Sequence, residues 1–180
     1  MEPKDLLYKA ISGYREQHIL SDIVQGESPT AICTIYDNCI PEIDEFTGNK
    51  SEIRASFAEG LMHYMLSTAL IPSQRKTSFK SVEIDIAVPD TKTLASSPQD
   101  VVLISFPKTG ESKDIEKYVN QIKKIQANPD NIWVVLDRQI PLDARVYSLD
   151  RDHFTFANII NDLISFSSNK KQSKLKIFKI

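Results

Sequence analysis

Apolar residues recur at the 3.6-residue spacing of an amphipathic helix in four segments of the chain. The first segment opens at Pro3, because the first turn of a helix tolerates proline. The second follows Asn49, which together with Glu52 resembles a capping box. This spacing predicts helices that begin at Pro3 and that cover residues 50–69, 112–127 and 154–166.

The segment V-E-I-D-I-A-V, from Val82 to Val88, alternates apolar and other residues with the two-residue period of a half-buried strand. We therefore predict a strand over 79–88. The alternation also predicts that Glu83 and Asp85 project side by side from the face opposite the apolar one. Other apolar runs predict buried strands at 101–106 and 131–136, and a shorter strand at 145–149.

Two other stretches have a less regular pattern. Pro29 and Pro41 interrupt residues 22–48, so we expect only loops and one or two short strands there, around residues 31–36. The tail from Ser173 to Ile180 alternates lysine with apolar residues, which predicts an edge strand.

The order of these elements predicts an α/β fold with a mixed central sheet flanked by helices. A chain of 180 residues is most simply one domain. We expect residues 1–48 to form an N-terminal helix with an irregular extension and residues 49–150 to form the core. Residues 151–180 would add a C-terminal helix and the edge strand.

The composition and charge of the chain limit the classes of protein to which it can belong. With 41% hydrophobic and 26% charged residues, the chain has the composition of a globular protein, and its net charge of −2 argues against non-specific nucleic-acid binding by the whole surface. No apolar run reaches the roughly 20 residues that span a bilayer. The charged N-terminus lacks the apolar segment of a signal peptide. We expect a cytoplasmic protein with no membrane partner, in which Cys33 and Cys39 are reduced thiols.

Charged residues near two strands give the chain a candidate site. Glu83 and Asp85 share one strand, while the buried strand that ends at Phe106 is followed by Pro107 and Lys108. An acidic pair beside a lysine can hold a divalent cation and stabilise a developing negative charge. A solvated strand face explains the same two carboxylates equally well, and Lys108 taken alone is an ordinary lysine at a strand end.

Four short segments follow one another along the chain in a characteristic order. A helix carries the step Ala58-Glu59, a basic strand runs from Gln74 to Ser78, the next strand carries Asp85, and the strand after it ends in Phe106-Pro107-Lys108. In this order the segments resemble the PD-(D/E)XK nuclease superfamily, and within it the archaeal Holliday junction resolvase-like branch. The resemblance covers residues 51–150 and implies a restriction-endonuclease-like core.

The resemblance also implies a chemistry. In that superfamily, carboxylates on adjacent strands bind Mg²⁺ or Mn²⁺, and a lysine stabilises the transition state of phosphodiester hydrolysis. Carried over to this sequence, Asp85, Lys108 and Glu59 would be catalytic residues, and Asp85 with Glu83 would hold the metal. Glu59 also fits a simple surface pair with His63, four residues further along the same helix.

The last motif departs from the family pattern at one position. The family has glutamate where this chain has Phe106, so one hard oxygen ligand is missing. Glu83, Glu111 or Glu116 would have to replace it. Asp90, in Val88-Pro89-Asp90, is similar to the Pro-Asp step of the family but lies past the predicted strand end.

Two functions therefore stay open at the level of the sequence. One is a metal-dependent DNA endonuclease that acts on linear or branched DNA. The other is a catalytically inactive nuclease-fold module that binds nucleic acid or protein. Phe106 favours the second function, whereas the ordered set of Glu59, Asp85 and Lys108 favours the first.

Nucleic-acid binding by a slightly acidic chain requires local basic clusters. Arg75, Lys76 and Lys80 precede the Asp85 strand and are the predicted DNA contacts; a second set of lysines begins at Lys170 and Lys171 in the tail. A two-fold substrate would call for a homodimer. We base that expectation on the aromatic residues of the C-terminal part, namely Phe154, Phe156, Phe166 and Phe178.

Overall fold

The computed structural model describes the backbone of residues 3–177 and the side chains as far as residue 169. Five strands form one sheet in the order β1-β2-β3-β4-β5, with β1 antiparallel to β2, β2 antiparallel to β3, and β3, β4 and β5 parallel. The strands are β1 Gln74–Phe79, β2 Val82–Val88, β3 Val102–Ser105, β4 Ile132–Leu136 and β5 Arg145–Ser148. The predicted mixed sheet is confirmed.

Seven α-helices accompany this sheet in the described part of the chain: α1 Pro3–Tyr14, α2 Glu16–Val24, α3 Ser28–Glu45, α4 Lys50–Thr68, α5 Thr91–Ser96, α6 Ser112–Lys123 and α7 Ile159–Ile177. One apolar layer joins one face of the sheet to α1, α3, α4 and the start of α7. A second layer joins the opposite face to α6. None of the described helices is long and apolar enough to cross a membrane.

Local sequence signals position α4, the helix that carries Glu59. The side chain of Asn49 caps its N-terminus by accepting hydrogen bonds from the backbone N–H groups of Ser51 and Glu52, at 3.1 and 3.4 Å. The predicted helix over 50–69 is therefore confirmed. Ala58 and Leu61 on its buried face pack in the core, and Glu59 beside them is buried as well.

The expectation of loops and short strands at 22–48 is wrong, because residues 22–24 complete α2 and residues 28–45 form α3. Pro29 lies in the first turn of α3, where its missing N–H costs no hydrogen bond, and Pro41 lies in the last turns. The helix buries Ile32, Ile35 and Ile43 at helical spacing, and this burial outweighs the proline in its interior.

The predicted edge strand at 173–180 is also wrong where it can be checked, because residues 173–177 continue helix α7; residues 178–180 lie outside the described residues. Phe156 is fully buried, and Phe154 stacks on Tyr36 with ring centroids 4.5 Å apart. These two aromatic rings pack within the chain, and Phe178 is likewise outside the described residues. The homodimer stays a prediction.

Strand β2 does not present one continuous apolar face. Val82 and Ile84 pack in the layer of α6, whereas Ile86 and Val88 pack in the opposite layer. The apolar side chains therefore change layers at Asp85, and the prediction of a single apolar face is wrong. The change coincides with Lys76 on the neighbouring strand, which has a left-handed φ of 49°.

A two-residue turn joins β1 to β2. Phe79 pairs with Val82, and the intervening Lys80 and Ser81 have φ values of 48° and 63°. Positive φ at both positions is typical of a type I′ hairpin turn, which favours Asn-Gly rather than Lys-Ser. The positive φ angles of Lys80 and Ser81 therefore destabilise this turn locally.

We expect Ser81→Gly to stabilise the protein by about 0.5–1 kcal/mol, because glycine adopts positive φ without steric cost. Thermal unfolding of the purified variant measures the change. The matched control is Ser78→Gly within β1, which should destabilise by a similar amount because Ser78 already has ordinary strand geometry. Destabilisation by both substitutions would contradict the strain at Ser81.

Candidate active site

The candidate site lies where β2 and β3 separate. The two strands pair only through residues 86–88 and 102–104, so the next residue of β2, Asp85, lies just past the end of the ladder. The backbone N–H of Phe106 follows β3 and donates to Asp85 Oδ2 over 2.8 Å. Pro107 then breaks the strand, because proline has no N–H to donate. The Asp85 carboxylate is thus fixed by backbone from the neighbouring strand.

Glu59 is the centre of the cluster. Its side chain is only 4% exposed and faces three cationic side chains. Lys108 donates to Glu59 Oε2 over 2.8 Å, and Lys76 Nζ and an Arg75 nitrogen lie 2.6 and 3.6 Å from Glu59 Oε1. Lys76 Nζ also lies 3.4 Å from Asp85 Oδ1. Three cations and two carboxylates therefore meet at one point, with one positive charge in excess.

The backbone of Lys76 explains how two consecutive residues of a strand reach one carboxylate. Arg75 pairs with Ile86 and Thr77 pairs with Ile84, so the register places Lys76 opposite Asp85. A regular strand would send Arg75 and Lys76 to opposite faces. The left-handed φ of Lys76 breaks this alternation, and both side chains reach Glu59.

Neighbouring charges, rather than burial, decide the protonation states of Glu59 and Lys76 in this cluster. Burial alone raises the pKa of Glu59, but the hydrogen bond from Lys108 and the positive charges of Lys108 and Lys76 outweigh burial and hold that pKa below its ordinary value. For Lys76, burial lowers the pKa, while Glu59 and Asp85 together raise it above its ordinary value. At neutral pH Glu59 is therefore a carboxylate and Lys76 an ammonium group.

Helix α6 adds a residue that sequence reasoning did not assign. The phenol of Tyr118 lies beside Asp85 and the buried Ser105. Burial, followed by the charge of Asp85, raises its pKa well above the ordinary value, so it stays protonated. No residue pattern singles out Tyr118, because its position depends on how α6 packs across the sheet. A protonated phenol can donate a hydrogen bond to an anion in the site.

The structure brings Glu59, Asp85, Lys108, Arg75 and Lys76 together, but it does not bring in every predicted residue. Glu83 is exposed and pairs with Ser78 near the hairpin turn; none of the cluster contacts involves it. Lys80 is exposed in that turn, with its ammonium 5.4 Å from the centre of the Phe79 ring. Lys80 therefore lies beyond the end of β1, four residues after Lys76.

The carboxylates proposed to replace the missing glutamate have other surroundings. Glu111 is exposed at the start of α6, and Glu116 lines a surface groove with Val119 and Lys123. Asp90 caps helix α5 by accepting from the N–H of Thr93 over 2.7 Å. The hydrogen bond with the Thr93 backbone, above all, lowers the pKa of Asp90.

Two carboxylates flank one position that suits a cation, and Lys76 Nζ fills it. Within the described residues, no group of three or more Asp, Glu, His or Cys side chains converges to share a metal ion. Mg²⁺, however, commonly takes one or two protein carboxylates and completes its shell with water and substrate phosphate. Glu59 Oε1 is buried without a properly directed hydrogen bond from the described part of the chain. The donor chemistry of Glu59 and Asp85 therefore fits Mg²⁺ or Mn²⁺.

Comparisons with known proteins agree on the fold. No protein-family model matches the sequence, and no curated protein matches it. Metal-depleted Ecl18kI, a restriction endonuclease, in complex with uncleaved, modified DNA aligns with a TM-score of 0.62 at 13% identity. Metal-depleted Ecl18kI in complex with uncleaved DNA aligns with a TM-score of 0.54 at 12% identity. Each alignment covers 94% of this chain and 80% of the Ecl18kI chain.

These alignments show that the chain has a restriction-endonuclease-like fold. At this level of identity they show the fold alone. The resolvase-like branch named from the sequence stays a prediction, as do the roles of the individual site residues.

Proposed function

We propose that this protein binds DNA and hydrolyses its phosphodiester bonds in the presence of Mg²⁺ or Mn²⁺. One observation carries the proposal: Glu59, Asp85 and Lys108 come from three separate segments and form one cluster, in which Lys76 bridges the two carboxylates and Lys108 contacts Glu59 directly. These are the residues that the ordered motifs select as catalytic. Convergence of a buried carboxylate, a second carboxylate and a lysine where two strands separate is typical of a site for an anionic substrate.

Each side chain has a distinct role in this proposal. Glu59 and Asp85 would hold the metal ion, which supplies Lewis-acid polarisation of a phosphate oxygen when it is bound. The backbone N–H of Phe106 orients the Asp85 carboxylate. Lys108 places an ammonium group where negative charge develops on the phosphate, and the protonated Tyr118 can donate a further hydrogen bond.

The fold neighbours support DNA as the partner, because both Ecl18kI structures are complexes with DNA. The excess positive charge of the cluster supports it as well, since phosphate contacts supply much of DNA affinity. Arg75 is more than one third exposed beside the cluster and can meet a phosphate that flanks the reacting one.

A second candidate is a DNA-binding module that does not hydrolyse its ligand. Phe106 favours it, because its ring is buried in the core where the nuclease motif has a metal-binding glutamate. The cluster would then hold a backbone phosphate through Arg75, Lys76 and Lys108. Both candidates share the same site and differ only in chemistry.

Cleavage of linear duplex and four-way junction DNA separates the two candidates. The purified protein is incubated with each DNA in Mg²⁺, in Mn²⁺ and in EDTA, and binding is followed in parallel by fluorescence anisotropy. Cleavage only in the presence of metal supports the nuclease. Binding without cleavage under all conditions supports the module, and absence of both binding and cleavage contradicts both candidates.

Phosphate contacts should be concentrated near the site rather than in the tail. We expect Arg75→Ala with Lys76→Ala to weaken DNA binding in EDTA more than Lys170→Ala with Lys171→Ala. Each lost phosphate contact should reduce the slope of log K against log salt concentration by about 0.9 for duplex DNA. Anisotropy titrations at several salt concentrations measure this slope. Equal, negligible effects of the two double variants would contradict the placement of DNA at the cluster.

A further inference from the structure

The ammonium group of Lys76 occupies the position that a divalent ion would need. It lies 2.6 Å from Glu59 Oε1 and 3.4 Å from Asp85 Oδ1, so it bridges carboxylates from α4 and β2. Lys108 contacts only the other oxygen of Glu59, and Arg75 lies further away, at 3.6 Å from Oε1. Of the three cations around Glu59, Lys76 is the one whose amine lies between the two carboxylates.

We propose that Lys76 is a tethered cation that holds the metal position between Glu59 and Asp85 and competes with Mg²⁺ or Mn²⁺ for it. The identity of the competing ion rests on the proposed function; the competition itself follows from the geometry. A metal ion and an ammonium group cannot share a gap of this size, and their like charges repel strongly there.

Three features of the structure support this role. The side chain of Lys76 is 56% exposed, so the ammonium has a path to solvent and can leave the gap. Its backbone has a left-handed φ, which turns the side chain towards Glu59 at a local conformational cost. Glu59 Oε1, although close to Lys76, is a buried oxygen without a properly directed hydrogen-bond donor in the described part of the chain. An ion has no such directional requirement.

The proposal has a functional consequence. A DNA phosphate beside the site offers Lys76 an alternative anion, and movement of the ammonium to that phosphate would leave both carboxylates facing the gap. Metal and DNA would then bind cooperatively in the natural protein, because each would favour the same position of Lys76. The free protein would bind the ion weakly.

Binding of Mn²⁺ to the DNA-free protein tests the proposal, with unbound Mn²⁺ measured by electron paramagnetic resonance. We expect Lys76→Met to bind Mn²⁺ at least about tenfold more tightly than the natural protein, which corresponds to about 1.4 kcal/mol. Methionine is unbranched like lysine, so the backbone of residue 76 meets the same steric conditions. Adding Asp85→Asn to Lys76→Met should abolish the gain.

Arg75→Met is the matched control, because it removes one positive charge near the same Glu59 oxygen without vacating the gap. We expect it to tighten Mn²⁺ binding by less than about threefold, the share due to net charge alone. Equal gains from both variants would overturn the proposal. So would an unchanged affinity in Lys76→Met and Lys76→Gln, with circular dichroism showing both folded.

The same variants keep this proposal separate from the proposed function. Tight Mn²⁺ binding by Lys76→Met, with no DNA cleavage by it or by the natural protein, would retain the tethered cation and reject the nuclease. Metal-dependent cleavage by the natural protein, with no gain in Mn²⁺ affinity in either Lys76 variant, would retain the nuclease and reject the tethered cation.

Discussion

We expect Asp85→Asn to reduce the proposed metal-dependent DNA cleavage by at least about a thousandfold, the largest effect of any single substitution. Loss of the carboxylate charge removes one of the two groups proposed to hold the ion, and a factor of a thousand corresponds to about 4 kcal/mol of transition-state stabilisation. The asparagine oxygen can still accept the hydrogen bond from the Phe106 N–H, so the strands should remain in place. Initial rates of cleavage at saturating Mn²⁺ measure the effect.

Asp90→Asn is the matched control for this prediction. It makes the same chemical change five residues further along, at a carboxylate that caps α5 and contacts Thr93 rather than the cluster. Asparagine is an equally good N-cap, so neither stability nor cleavage should change appreciably. Cleavage that survives in Asp85→Asn, or an equal loss of cleavage in Asp90→Asn, would contradict the proposed metal-binding role of Asp85.

The elements around the site could be predicted because their sequence signals are local and agree with one another. Helix α4 carries an Asn49 cap and an apolar stripe, and strands β3 and β4 are continuous apolar runs between turn residues. Their order along the chain predicts a mixed α/β fold, and the resemblance to the PD-(D/E)XK superfamily implies the restriction-endonuclease-like core. The structural alignments confirm that fold.

The first helix, α1, agrees with the prediction, but α2 and α3 were missed because proline was given more weight than periodicity. In α3, Ile32, Ile35, Cys39 and Ile43 recur at helical spacing, and tertiary packing of this stripe overrides the local preference of Pro41. For the C-terminal tail, periodicity was given too much weight. The alternation of lysine and apolar residues there is typical of a strand, but α7 continues through residue 177.

The details of the site depend on contacts that no local pattern records. Alternation along β2 predicts that Asp85 and Glu83 share a face, yet Asp85 turns to the Phe106 N–H while Glu83 stays exposed. The positive φ of Lys76 is likewise invisible in the sequence, because lysine rarely adopts it. Glu59 could be selected only through the family resemblance, since its partners lie 16 to 49 residues away along the chain.

The second large effect concerns stability. We expect Glu59→Gln to destabilise the protein by about 2 kcal/mol at pH 7, because it removes the charge that holds Lys76, Lys108 and Arg75 together. The effect should fall short of that of a fully buried ion pair, since these three side chains are 35–56% exposed and water screens them. Thermal and urea unfolding of both proteins measure the difference.

The destabilisation should depend on pH in a defined direction. The pKa of Glu59 in the folded protein lies below its ordinary value, so the stability that it contributes is present above the unfolded pKa of about 4.3 and is lost as pH falls through the folded pKa. The natural protein and Glu59→Gln should therefore differ fully between pH 5 and 7 and converge in more acidic solution. Glutamine does not titrate, so its own contribution stays constant.

Glu116→Gln is the control for charge and helical context, because Glu116 is an exposed glutamate on α6. Its stability should stay within about 0.5 kcal/mol of the natural protein across the same pH range. A difference between the natural protein and Glu59→Gln that persists undiminished in acid would mean that the shape of the side chain, rather than its charge, stabilises the site. Equal stability at pH 7 would mean that burial of the Glu59 charge fully offsets its three cationic contacts, which would contradict the lowered pKa.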